Sequence, residues 1–265
     1  MNKYNIVEID LSHYDKSVQN LFSVIASELQ LIQKQLDLYE IAVRGGFVAD
    51  TLKGIQAKDI DVFYVLKDSS GNPSLLCDCD TVKSTIMSMK LELIGDKYEL
   101  DVGHFGEKEF YIPVVEKICG FFSHHADFYS MYVLTSEGKV FTNEMGKYCH
   151  DHSVYEVTLN TWPMTQNFLT NHQNDYYDIY NGFTFRGLRQ MIRKQLTPGE
   201  DYKTMLENWH SILRCTQSMP QIKDKLANRF SKHDISLSRL KSILDANNIQ
   251  NADLIIKELK NIISI

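Results

Sequence analysis

The segment from Tyr39 to Leu66 constrains this chain most, because its hydrophobic period changes twice in a short span. Tyr39-Glu40-Ile41-Ala42-Val43-Arg44 alternates toward a buried strand. Gly45-Gly46 interrupts it, and Phe47 to Gly54 carries a helix-compatible pattern through Val48 and Leu52 before a glycine stop. Asp59 to Leu66 returns to extended character, with Val62, Phe63, Tyr64 and Val65 all favouring a strand. A strand, a glycine-opened helix and a second strand call for a sheet with a helical layer against it. Alternate residues of a strand face the same way, so Asp59 and Asp61 project together while Ile60 and Val62 pack behind them.

That layout has chemical content. Glycines let the backbone approach a polyphosphate closely, and a helix N-terminus favours its charge, which makes Gly45 and Gly46 candidate phosphate-binding positions. Arg44 and Lys58 flank them as charge partners. Two hard oxygen ligands side by side suit magnesium, and a pair of such ions stabilises both the attacking and the leaving oxygens of an in-line displacement. Paired glycines alone are common in turns, and Asp-x-Asp alone is common on solvated strand edges. In this order and spacing they point together to phosphoryl transfer. Two metals need a third acid, and Tyr98-Glu99-Leu100-Asp101-Val102-Gly103-His104 offers one on another strand. Glu99 and Asp101 share a face there, and the pattern alone leaves both open. His104 falls on the opposite face of a regular strand and reads as structural.

The run GGFVADTLKG followed by KDIDVFYV resembles the signature of the class II nucleotidyltransferases, the tRNA CCA-adding enzymes and bacterial poly(A) polymerases, whose pattern is GG-x-VRD-x-LLG and KDIDI. ELDVGHF is similar to a third strand of that family and puts Asp101 on its third acidic position. HHADFYSMYVLTSEGKV is similar to a strand and hairpin that begins RRDF, with Asp127 on the family aspartate; FRGLRQMIRKQ is similar to an arginine-bearing helix, with Arg186 and Arg189 retained. The resemblance therefore implies catalysis and metal binding by Asp59, Asp61 and Asp101. It implies nucleotide contacts from Gly45, Gly46, Arg44, Lys58, Asp127, Arg186 and Arg189. The departures are specific: Ala49 replaces the arginine of VRD, His125 and Ala126 those of RRDF, and Gly106 another. Gly182 and Phe183 stand where the family has an acidic pair. The order of nucleotide addition therefore does not carry over.

Elsewhere the patterns are simpler. Ser17 to Leu38 places Leu21, Ile25, Leu29, Ile32 and Leu36 on one helical stripe. Lys67 to Pro73 reads as a loop, Thr81 to Met89 as a helix, Leu91 to Ile94 as a strand, and Ser136 to Lys139 as a hairpin turn. Asn143 to Gln173 has little pattern. Helices are expected over 186–196, 203–215, 221–230, 236–246 and 252–264, with Glu200 and Asp201 at the N-terminus of the second. Arg186, Arg189 and Arg193 share a face, as either a phosphate-facing ridge or a solvated stripe.

The expectation is thus an α+β protein. A polymerase-beta-like nucleotidyltransferase domain with a mixed sheet would occupy 1–145, and an all-helical domain 146–265. Its cofactor would be two magnesium ions, or manganese in their place. Its partners would be a nucleoside triphosphate and a tRNA-like RNA 3′ end, with a protein or small-molecule acceptor, or a degenerate nucleotide-binding module, as alternatives. A net charge of −6 favours extensive nucleic-acid binding only if one face is basic. Five cysteines without paired spacing, no leader-like N-terminus and no long apolar run predict a cytoplasmic protein away from membranes. The short helical half suggests a reduced, viral-type member.

Overall fold

Alternation in the first half of the chain builds one sheet from β1 (Ile6–Ile9), β2 (Glu40–Arg44), β3 (Asp59–Val65), β4 (Glu99–His104), β5 (Val133–Thr135) and β6 (Val140–Asn143), in the order β1-β6-β5-β2-β3-β4. Every pair is antiparallel except β3 and β4, which run parallel. This computed structural model describes residues 3–57, 59–74, 80–88, 99–104, 111–120, 127–157, 173–233 and 235–263. The chain divides into two units, Met1–Asp151 and His152–Ile265. The division falls at the end of helix α5 (Glu144–His152), which runs through the 145/146 boundary expected from the sequence.

In the first unit, α1 (Lys16–Gln35) buries Phe22, Ile25, Ala26, Leu29 and Ile32. This is the expected stripe turned slightly at its start, where Phe22 rather than Leu21 goes inside. The glycine pair opens α2 (Gly46–Leu52), which ends at Gly54 in a left-handed conformation, φ 69°. Among the described residues, α3 (Asp80–Ser88) and α4 (Val114–Cys119) also precede α5. The buried face of α4 (Val114, Ile118 and Cys119) packs with Ala42, Val65 and Val133 of the sheet. Glu40 fixes where α4 starts: its Oε2 accepts from the Tyr111 hydroxyl at 2.6 Å and the Val114 amide at 3.2 Å. Burial raises this carboxyl above the ordinary carboxylate range. The expected strand at 91–94 lies outside the described residues.

The second unit contains α6 (Gln173–Lys194), α7 (Glu200–Thr216), α8 (Pro220–Lys232), α9 (Leu237–Ala246) and α10 (Ala252–Ile263). A two-residue parallel pairing of β7 (Val154–Tyr155) with β8 (Thr197–Pro198) accompanies them. The helix expected over 186–196 is the second half of the longer α6. Its first half was unreadable because Gln173 to Asp178 is polar and shows no apolar stripe. Trp209 is fully buried and donates its indole N–H to Asn181 Oδ1 at 2.7 Å, while Asn181 donates to Thr216 Oγ1 at 3.1 Å. Glu156 accepts the amides of Asp201 and Tyr202 at the N-terminus of α7, the role expected of a carboxylate there. Among the described residues no helix is long and apolar enough to cross a membrane.

Candidate active site

β3 carries the acids because its burial alternates as a half-covered strand requires. Ile60, Val62 and Tyr64 are inside, while Asp59 is exposed and Asp61 half-buried on the other face. The parallel register sets Asp61 directly beside Asp101 and Asp59 beside Glu99. Neighbours in register lie about 4.8 Å apart across the ladder and point to the same side of the sheet. On the other flank of β3, the antiparallel register sets Arg44 beside Asp61. A row of Arg44, Asp61 and Asp101 therefore crosses three strands, with Asp59 one step away on the same face. Asp101 is exposed. The Arg44 guanidinium lies over the Phe63 ring, 3.7 Å from its centroid.

The glycine pair has two different jobs. Gly45 sits at φ 84°, ψ −146°, a region that only glycine occupies readily, and its N–H donates to Tyr132 O at 2.8 Å. That amide is already used inside the protein. The expectation that both glycines offer donors to phosphate is therefore corrected: Gly45 supplies the turn. At Gly46 an added Cβ would meet nothing within 4 Å. The backbone there faces open space, as a position approached by a ligand should.

Asp127 has a structural role of its own. It is fully buried, and its Oδ1 accepts the Ser130 amide at 2.7 Å, capping the short 3-10 turn Phe128–Ser130. One of its carboxylate oxygens is thus engaged in local structure. Lys58 lies outside the described residues. Arg186 is half-buried and Arg189 exposed, both on α6 of the helical unit. Ala49, where the resembled family has arginine, is completely buried. Beside it, His150 is buried against Tyr129 and Tyr132, and Lys53 donates to the His150 carbonyl at 2.7 Å. Burial, and then the Lys53 ammonium, hold the His150 imidazole below its ordinary range. Sequence reasoning missed the contact of Phe63 with Arg44. The same-face spacing of Phe63 from Asp61 was a usable signal that its strand propensity obscured.

The donor set fits a hard divalent cation: carboxylate oxygens only, on one solvent-facing patch. The side chains stand spread, and among the described residues no three His, Cys, Asp or Glu are close enough to hold an ion as they stand. Like charges hold one another apart. The strand register nevertheless sets Asp61 beside Asp101 and Asp59 beside Glu99 on one face of the sheet.

No protein-family profile matches the chain, and no curated protein matches it by sequence. Solved structures do resemble it. A tRNA-processing enzyme in an apo form has a TM-score of 0.54 at 14% identity, covering 97% of this chain and 60% of that one. A tRNA nucleotidyltransferase complexed with a primer tRNA and an incoming ATP analogue has a TM-score of 0.54 at 15% identity, covering 86% of this chain and 62% of that one. A CCA-adding enzyme in an apo form has a TM-score of 0.51 at 13% identity, covering 97% and 54%. This chain thus spans between 54% and 62% of the length of those three. At such identity the likeness is one of fold. The chain has a class II nucleotidyltransferase-like fold, with a mixed-sheet α+β unit followed by a helical one.

Proposed function

We propose that the first unit transfers a nucleoside monophosphate from a nucleoside triphosphate to a hydroxyl acceptor, the 3′ end of a tRNA-like RNA. The observation that carries this reading is the in-register pairing of Asp61 with Asp101, with Asp59 on the same face. The acceptor oxygen attacks the α-phosphorus, the bond from that phosphorus to the bridging α–β oxygen breaks, and pyrophosphate leaves with the electron pair. The acceptor proton passes to solvent. Two magnesium ions, or manganese in their place, held by Asp59, Asp61 and Asp101, would neutralise the triphosphate and lower the acceptor hydroxyl's pKa. Asp101 rather than Glu99 is assigned because it adjoins Asp61, the more sheltered acid of the pair. Gly46 leaves room for a phosphate at its amide, Arg44 supplies positive charge beside the acids, and Lys58 enters this reading as a second cation through the sequence alone. Catalysis is then positioning and charge stabilisation, with no nucleophilic side chain. Arg186 and Arg189 enter this reading through the sequence resemblance alone.

A second acceptor class is favoured by one observation: a net charge of −6, which a protein or small-molecule acceptor tolerates better than an RNA does. The decisive experiment incubates the protein with each labelled triphosphate, magnesium and a tRNA pool stripped of its 3′ terminus. Extension of the RNA is expected. Self-labelling or labelling of another protein, without RNA extension, would overturn the acceptor. No metal-dependent release of pyrophosphate under any condition would overturn the enzyme.

A further inference from the structure

Phe63 follows Asp61 on the same face of β3 and is flanked in register by Ala42 on β2 and Gly103 on β4. Both neighbours are small, so the ring can lie down across the sheet. A Cβ built on Gly103 would stand 2.7 Å from Phe63 Cε1 and 3.0 Å from Cζ, which shows the ring resting over the glycine. Against the ring lies the Arg44 guanidinium, 3.7 Å from the centroid. Arg44 is the only Arg or Lys within β2, β3 and β4. Both partners are half-buried, where a cation over a ring face is held more strongly than at full exposure. A guanidinium can rest on a ring face and carries five N–H donors in a fixed fork, whereas an ammonium is a compact point charge on a flexible stem.

We infer that Phe63 and Gly103 are positioning residues. They hold Arg44 as a fixed cation at the end of the carboxylate row, where its N–H edge takes the non-bridging oxygens of a bound nucleoside triphosphate. This inference rests on the nucleotidyl-transfer reading above. It adds what fixes the cation and why that cation is an arginine. Phe63 touches neither substrate nor metal and acts through Arg44. Gly103 acts one step further back, by leaving the ring its place.

The test uses the full chain carrying Phe63→Leu, Phe63→Tyr, Arg44→Lys, Gly103→Ala, or Phe63→Leu with Arg44→Lys. Affinity for a fluorescent non-hydrolysable triphosphate is measured with magnesium and with chelator, alongside steady-state pyrophosphate release. Melting midpoints identify any variant that fails to fold. Losing a cation–π contact should weaken binding about 2- to 30-fold in Phe63→Leu and Arg44→Lys, with KM rising and kcat moving less. Phe63→Tyr, which keeps the ring, should bind like wild type. Gly103→Ala, which displaces the ring without removing it, should fall in the same direction as Phe63→Leu. The double variant should be no worse than the weaker single one, the mark of residues acting as a unit. Additive losses, or Phe63→Leu and Gly103→Ala binding like wild type, overturn the inference and leave the enzyme reading standing. A wild-type protein that binds no triphosphate overturns both.

Discussion

Gly46 is the position where fold and function should separate most cleanly. Its φ is not positive, it opens a helix, and an added Cβ would meet no protein atom within 4 Å. Gly46→Ala should therefore stabilise the first unit by about 0.4–1 kcal/mol, through the reduced freedom of the unfolded chain. That corresponds to a rise in melting midpoint of roughly 1–4 °C for a unit of this size. If a phosphate oxygen comes up to the Gly46 amide, the new methyl occupies its path. The loss of one charge-assisted hydrogen bond, about 1.5–3 kcal/mol, weakens triphosphate binding roughly 10- to 100-fold. Gly45→Ala is the contrast. Its backbone at φ 84°, ψ −146° costs a side chain about 1–3 kcal/mol, so the midpoint should fall. The assays are thermal or denaturant unfolding and titration with a fluorescent triphosphate. A Gly46→Ala protein that melts higher and still binds normally would refute the placement of phosphate at this glycine. One that melts lower would refute the open space.

Asp59→Ala, Asp61→Ala and Asp101→Asn should each lower turnover by roughly three orders of magnitude or more at unchanged melting midpoint, since oxygen positions at the reacting phosphate decide such rates; a mild Asp101→Asn with a severe Glu99→Gln would exchange their roles. The folded pKa of His150 lies below its unfolded value, so the unfolded chain takes up protons first as pH falls below about 6.5. Its contribution to stability is therefore intact above that pH and lost progressively beneath it, and His150→Gln should flatten the midpoint-versus-pH curve below about pH 6.5; an unchanged slope would show that other groups carry it. Asn181→Leu should cost the helical unit about 1–3 kcal/mol in denaturant unfolding, because the Trp209 indole N–H loses its buried partner; a neutral result would mean that another acceptor rotates into place.

The acidic strands were legible because period-two alternation and the Lys58-to-Val62 run carry their own signal. β3 and β4 came out with Asp59, Asp61 and Asp101 on one face, as alternation requires. What could not be read was pairing. Nothing local says that β4 joins β3 in parallel, or that β2 brings Arg44 beside Asp61, since register is fixed by non-local packing. The capping role of Asp127 was hidden for a related reason: an aspartate before a short turn can be a ligand or a cap, and the sequence does not show the Ser130 amide bonded to it. Gly45 and Gly46 look equivalent in sequence. They differ in one hydrogen bond to Tyr132, whose position depends on the strand that follows it.

The parallel pairing of β3 with β4 also sets an order of events. β2, α2 and β3 are contiguous in the chain, so Asp59 and Asp61 reach their places through local contacts that form early and cheaply. Asp101 arrives only after the long connection from Val65 to Glu99 closes on itself, a step whose entropy must be met before any contact repays it. A chain whose β3 has paired with β2 while β4 has yet to dock would hold two of the acids without the third. On the proposed reading such a chain lacks one of its three metal-holding acids, so competence would wait for β4 to dock.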